Sequence, residues 1–370
     1  MPNGPIKVLH VVPNMQQGGL ENYIMNMYRN IDRSVVQFDF LEHYSTDRAF
    51  DSEIRDLGGS IHRIPFMEHK TQIAQYQRSL NHFFKNHDEY QIVHGHMGTT
   101  ALFYLSAAKK ARIPHRLIHA HESSYIRNAR GYVRKALIQQ SWRNATELLA
   151  CSQLAGRYYY GHHPFRLMKN AIDTKRFTFN ADARHDMRNE LGIDENTLVL
   201  CHIGRFSQQK NQPYLIDILE ALVKSHPDVV LIMVGEGDTK SAVQSEVSER
   251  KLTEKVRFIC PSNSPEPLYS AADIFLLPSV FEGLPLTGVE AQCNGLPCIF
   301  SSSVTQEVKL TPNAHFATIN QDPSNWARLI LDMPLCDSSN RAEAPQLILQ
   351  AGYDVAGNTA LMQRYYLQML

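Results

Sequence analysis

Short apolar runs alternate along most of the chain with longer stretches whose apolar positions recur every third or fourth residue. The first run, Lys7-Val8-Leu9-His10-Val11-Val12, reads as a buried strand that stops at Pro13. After Gly18-Gly19, Tyr23, Ile24, Met27, Tyr28 and Ile31 have helical spacing. Strands follow at 37–41, 60–64, 91–94, 116–121 and 148–152, and helices at 50–57, 71–85, 99–111 and 125–142. Strand and helix taking turns in this way predict a doubly wound α/β fold with a mostly parallel sheet. Ligands in such sheets bind beyond the carboxyl ends of the strands. The Gly18-Gly19 loop, His94 with His96, and His119 with His121 all fall at such ends.

The segment 166–177, which follows a short polar stretch and precedes a charged one, marks the boundary, and a second series begins after it. Strand 198–203 runs into Gly204-Arg205-Phe206-Ser207-Gln208-Gln209-Lys210-Asn211, and a helix opens near Pro213. Strands at 229–234, 256–261 and 274–277 come next, and 297–300 closes the series, with Gln306-Glu307-Val308 near the same ligand face. The expected organisation is a first domain at 1–173, a second at 174–350 and a helical tail at 351–370.

The densest chemistry lies at Phe281-Glu282-Gly283-Leu284-Pro285-Leu286-Thr287-Gly288-Val289-Glu290-Ala291, a strand end, a loop and a helix start. Glu282 falls in the loop and Glu290 about one turn into the helix. The amides of Leu286, Thr287 and Gly288 would point back into the loop as an anion site. The glutamates span at most roughly 12 Å by helical rise, the reach of a sugar–pyrophosphate–ribose unit, and a carboxylate can accept both hydroxyls of a vicinal diol. Arg205 and Lys210, at the mouth of strand 198–203, suit a diphosphate leaving group. Ordinary surface charge is the rival, less favoured reading of these carboxylates and cations, and their occurrence together argues further against it. Gly18-Gly19 lets backbone approach a ligand closely, without the three-glycine dinucleotide fingerprint.

The paired histidines allow two readings. Residues two apart on a strand share a face, so His94 with His96, and His119 with His121, plus Glu122, have zinc-ligand chemistry. Ends of different strands need not converge, however, and no HExxH helix is present. Buried, hydrogen-bonded roles suit His94 and His119 better. His121, last before the loop Glu122-Ser123-Ser124, is the active-site candidate, donating to a sugar hydroxyl or a developing charge.

With 370 residues, two cores are expected. Lys plus Arg and Asp plus Glu balance at 37 each, so no global field recruits nucleic acid. The six cysteines (151, 201, 260, 293, 298, 336) form no CxxC pair and read as reduced core residues of a cytoplasmic protein. No leader pattern opens the sequence, and no apolar run is long enough to span a bilayer. Arg127, Arg130, Arg134, Lys135 and Arg143, interleaved with Tyr125, Tyr132 and Trp142, offer a peripheral membrane contact at the inner face or an acceptor-binding surface. A solvated helix face is the commoner outcome of such a run.

The ordered set of a glycine pair after the first strand, NAIDTKRF, GRFSQQKN and FEGLPLTGVEAQCNGLPCI resembles glycosyltransferase family 4, from about Val8 to the last helix. Within it, the chain looks closest to bacterial capsule and exopolysaccharide assembly enzymes. The resemblance implies a GT-B fold, two Rossmann-like domains facing across a cleft, and retaining sugar transfer without a metal or other cofactor. By it, Arg205 and Lys210 hold the donor diphosphate, Glu282 contacts the donor sugar and Glu290 binds the ribose. The amides at Leu286 and Thr287 bind phosphate, Gly18 and Gly19 lie near the donor phosphates, and His121 serves the sugar, with His119 as the alternative register. The donor implied is a UDP-sugar and the acceptor a saccharide, free or on a polyprenyl diphosphate. The final helix would cross back to the first domain. Pro261 stands where relatives often have glycine, a departure that touches base recognition. Alternatives on the same fold are a UDP-sugar 2-epimerase and a non-catalytic partner of another transferase.

Overall fold

The structure is a computed structural model describing residues 4–16, 18–65, 72–122, 129–262, 264–335 and 341–370. The chain forms two compact units, Met1–Ala171 with Val355–Leu370, and Ile172–Asp354.

In the first unit, β1 (Ile6–Val11), β2 (Val36–Glu42), β3 (Ile61–Arg63), β4 (Ile92–Gly95), β5 (His115–Ala120), β6 (Glu147–Ala150) and β7 (Arg166–Leu167) form one parallel sheet. Their order is β3-β2-β1-β4-β5-β6-β7. Helices cover both faces, which is why the central strands are apolar without alternation. The register sets His10 beside His94, and Gly95 beside Ile118. The histidines on and just after β4 and β5 are thereby brought together at the carboxyl ends of the central strands. Helix Gly19–Asn30 begins at the second glycine itself and buries Tyr23, Ile24, Met27 and Tyr28.

In the second unit, β8 (Leu198–Ile203), β9 (Val229–Val234), β10 (Val256–Ile259), β11 (Ile274–Leu277), β12 (Cys298–Ser301) and β13 (Ala314–Ala317) lie in the order β10-β9-β8-β11-β12-β13. Chain direction along the sheet order reverses between β8 and β11, as it does between β1 and β4. Ligand crevices of doubly wound sheets open at such switch points. The loops after β8 and β11 therefore meet where the sequence concentrates its charges.

Several expected elements differ. The stretch 166–177 contains β7. The second series does not close at 297–300, because β13 and helix Pro323–Asp332 follow, the latter burying Trp326. Helix Ala181–Glu190 escaped the apolar pattern because its buried anchor is an arginine. Arg188 donates to the carbonyls of Ala271, Asp194, Glu195 and Thr197 and to Asp273. Those five acceptors replace an apolar contact with a fully hydrogen-bonded one.

The basic stretch forms helix Ala129–Gln140 and a short 3-10 turn, Ser141–Asn144. Tyr125 and Arg127 of that stretch, with Gln17, Thr71, Ser123, Ser124 and Cys336, lie outside the described residues. Helix Ala344–Gln350 precedes the expected tail, whose own helix is Val355–Leu367. Cys151, Cys201, Cys293 and Cys298 are buried, whereas Cys260 is exposed and so is not a core residue.

Candidate active site

In the second unit, the loop after β8 is fastened to the loop after β11. Asn211, in the left-handed conformation at φ 56°, donates to Pro278 O at 3.3 Å. Val280 N–H donates to Gln209 O at 2.8 Å, and Gln209 Nε2 donates to Phe281 O at 3.1 Å and Glu282 Oε2 at 3.4 Å. Lys210 Nζ and Glu282 Oε1 are 2.7 Å apart, with Glu282 only 8% exposed. The two charges assigned to diphosphate and sugar are therefore one buried ion pair, each holding the other extended toward the strand ends. A buried charge without such a partner would be costly. Arg205 is exposed and, among the described residues, makes no ion pair.

The backbone under Arg205 is tightly shaped. Gly235 (φ 154°) and Gly237 (φ 149°) lie against it, and a Cβ on either would collide with Gly204 O or Phe206 O respectively. Gln212, fully buried, donates from Nε2 to Arg205 O at 2.8 Å and to His202 Nε2 at 3.3 Å, and accepts from Ser207 N–H at 3.3 Å. His202 can serve only as a neutral anchor: burial lowers its pKa to about 4, and Nδ1 lies 2.9 Å from Leu276 O.

Helix Leu286–Cys293 starts beside these loops. Gly288 N–H donates to Pro285 O at 3.0 Å, so this amide is not available, contrary to expectation. Leu286 and Thr287 keep amides with no acceptor within the helix. Thr287 Oγ1, although buried, completes no hydrogen bond among the described residues. Glu290, partly buried one turn on, accepts from Tyr269 O–H at 2.7 Å. Burial raises its pKa to about 7, Tyr269 and Arg176 oppose that rise, and Glu266 adds to it. Arg176 is itself held by Glu266 through two hydrogen bonds of 3.0 and 2.9 Å.

The first unit carries Gly18, Gly19 and His121. Gly18 is the extended N-cap of helix Gly19–Asn30, and a Cβ on Gly19 would meet open space. The strand ends do converge, against the expectation that kept the histidines apart. His10 Nδ1 lies 3.0 Å from His96 Nε2, and His96 Nδ1 lies 3.0 Å from His121 Nε2. His94 Nε2 lies 3.3 Å from His119 Nδ1, and His119 Nε2 lies 3.2 Å from Met168 O. His10, His94 and His96, and likewise His96, His119 and His121, each bring one nitrogen apiece within 4.8 Å of one another. Burial first, and the neighbouring imidazoles second, lower the pKa of His10 to about 3 and of His94 and His96 far below the usual value. His121 is lowered in the same way. The row is neutral at physiological pH.

Gln209, Gln212, Tyr269 and His10 belong to these sites without having been singled out from the sequence, whereas His96 was, as the pair of His94. Tyr269 stands 21 positions before Glu290, and no local spacing links them; only the packing of the helix on β11 does.

The chain is similar to known proteins in sequence and in fold. A family model described as Glycosyltransferase Family 4 matches residues 17–176, and one described as Glycosyl transferases group 1 matches 183–342. The chain is 30% identical over 369 residues to the glycosyltransferase named EpsF of Bacillus subtilis (strain 168), covering 97% of this chain and 96% of that one. It is 27% identical over 339 residues to the capsular polysaccharide biosynthesis glycosyltransferase CapH of Staphylococcus aureus, covering 88% and 90%. A UDP-Gal:alpha-D-GlcNAc-diphosphoundecaprenol alpha-1,3-galactosyltransferase of Escherichia coli is 25% identical over 256 residues, 65% of each chain. In fold, the chain is similar to Anabaena Alr3699/HepE, solved in complex with UDP-glucose, with a TM-score of 0.79, 19% identity and coverage of 99% and 100%. The chain is a glycosyltransferase enzyme of GT-B fold and belongs to glycosyltransferase family 4.

Proposed function

We propose that the protein transfers a sugar, with retained configuration, from a UDP-sugar to a saccharide carried on a polyprenyl diphosphate during surface polysaccharide assembly. The observation that carries this reading is the set of Arg205, the Lys210–Glu282 pair, the Leu286–Thr287 helix start and Glu290 at and beyond the carboxyl ends of the central strands β8 and β11. The named substrates of the E. coli galactosyltransferase and the capsular role of CapH support the choice of donor, acceptor and pathway.

Arg205, Lys210 and the helix amides would take the diphosphate, whose charge grows as the glycosidic C–O bond breaks. Glu282 would accept from sugar hydroxyls and Glu290 from the ribose diol. The acceptor oxygen bonds to the anomeric carbon on the face the diphosphate leaves. The breaking bond's electron pair goes to the diphosphate oxygen, which takes the acceptor's proton. His121 would orient the sugar, with Gly18 and Gly19 near the donor phosphates. No protein metal or redox cofactor enters this scheme. Helix Ala129–Gln140, exposing Arg130, Tyr132, Val133 and Arg134, would rest on the anionic surface that holds the acceptor.

The test is melting shift and turnover with UDP-, GDP- and ADP-sugars, with and without polyprenyl-diphosphate-linked saccharide, reading the product anomer by NMR. UDP-dependent stabilisation, acceptor-dependent release of UDP and a retained anomer are expected. Arg205→Ala should lower kcat by about 100-fold or more. UDP-sugar turnover that needs no acceptor, or full transfer by both Arg205→Ala and Glu282→Ala, would refute the reading.

A further inference from the structure

The five histidines form two hydrogen-bonded chains. The polarity of the first is set by its ends. Met168 O can only accept, so His119 carries its proton on Nε2 and receives His94 Nε2–H at Nδ1. His94 Nδ1 is then the acceptor for Tyr366 O–H at 2.6 Å. Every donor and acceptor in this chain is used, and the chain is fixed as neutral imidazoles protonated on Nε2.

The second chain, His10–His96–His121, ends differently. His10 is fully buried, against Phe38 and Phe40, and its Nε2 completes no hydrogen bond among the described residues. A buried N–H with no acceptor is rarer and costlier than a buried lone pair with no donor. His10 therefore keeps the lone pair at Nε2 and its proton on Nδ1, donating to His96 Nε2. His96 must then carry its proton on Nδ1 and donate to His121 Nε2. This leaves the His121 proton on Nδ1, beside the buried Asn170 side chain. His121 interacts with the Asn170 side chain, yet neither His121 Nδ1 nor Asn170 Oδ1 completes a hydrogen bond of ordinary length among the described residues, so a ligand oxygen can compete for the proton.

We propose that His96, backed by His10, is a positioning residue that fixes His121 as the Nδ1–H tautomer, so that His121 meets the donor sugar as a hydrogen-bond donor and not as a base. The part concerning the sugar rests on the function proposed above; the tautomer does not. The choice between the two nitrogens matters because only a donor can strengthen its bond to an oxygen that gains negative charge during transfer.

The experiment is ring 1H–15N correlation NMR on the full chain labelled at histidine, with His121→Gln to assign the signal. In the unsubstituted protein, His121 should show a protonated Nδ1 and an unprotonated Nε2. His96→Phe removes the donor and should give His121 mixed tautomers and a kcat lower by about tenfold. His96→Asn keeps an N–H in the place of Nδ1–H and should restore both readings. Protonation of His121 at Nε2 in the unsubstituted chain overturns the proposal, whether or not any variant folds. So does an unaltered tautomer in folded His96→Phe, or ring signals that shift on adding zinc ion, since a metal would need these lone pairs. A tautomer that moves while turnover stays unchanged upholds the chain and overturns the assignment of His121 to the sugar.

Discussion

Glu290 shows how one residue's surroundings carry a measurable consequence. Its folded pKa, about 7, stands above the usual 4.5 because burial opposes its charge. The folded state thus binds this proton more tightly than the unfolded chain does. The cost of burial is absent at pH below 4.5, where the group is neutral in both states, and complete once pH has risen through about 7. Glu290→Gln should therefore melt with the unsubstituted protein in acid and above it in mild alkali. Its UDP affinity should be lower by about tenfold in alkali and nearly independent of pH, whereas that of the unsubstituted protein should fall on acidification. Parallel melting curves at every pH would refute this account. The glutamate pair was legible in the sequence because strand end, turn and helix start are local patterns. Its partners were not: Tyr269 reaches Glu290, and Gln212 reaches Arg205 O, through tertiary packing.

At the scale of elements, helix Leu286–Cys293 aims its first turn by resting closely on β12. A Cβ at Gly288 would come within 2.7 Å of Phe300 Cε1, and Phe300 is fully buried. Gly288→Ala should therefore destabilise the protein by about 1–3 kcal/mol and weaken UDP binding, because the Leu286 and Thr287 amides move with the helix. A stabilised variant with unchanged UDP affinity would show that helix propensity, which favours Ala, outweighs the contact. The helix Ala129–Gln140 gives a second test. Replacing Arg130, Arg134 and Lys135 by Glu should abolish sedimentation with anionic vesicles, and unchanged sedimentation would remove the membrane role. Apolar periodicity located most elements, but it failed where polar anchors replace apolar ones. Arg188 makes helix Ala181–Glu190 cohere without an apolar stripe. β13, with only Ala314 of its four residues buried, gives little pattern to read.

At the scale of the whole molecule, the first unit is built from two distant segments, and this makes its stability depend on the chain's last helix. Sequence reading placed one domain boundary at 173 and the other at 350; the contacts divide the chain after Ala171 and after Asp354. Near the two crossings, Ile172 N–H donates to Tyr353 O at 2.9 Å and Thr174 Oγ1 to Asp354 Oδ1 at 2.7 Å, both within the second unit. The second unit therefore closes on itself without residues 355–370. The first does not. Tyr366 is fully buried, packs edge-on to Phe38 and donates to His94, while Gln363 accepts from Asp32 N–H and Tyr365 donates to Glu147. Ending the chain after Asp354 should lower the melting transition of the first unit and leave that of the second, followed through UDP stabilisation, nearly unchanged. Tyr366→Ala should cost the first unit about 3–5 kcal/mol by opening a cavity. Tyr366→Phe, which keeps the ring and removes one hydrogen bond, should cost only about 1 kcal/mol. If truncation lowered both transitions equally, the two units would be one cooperative body, and the helix would serve the whole chain and not the histidine-bearing sheet it rests on.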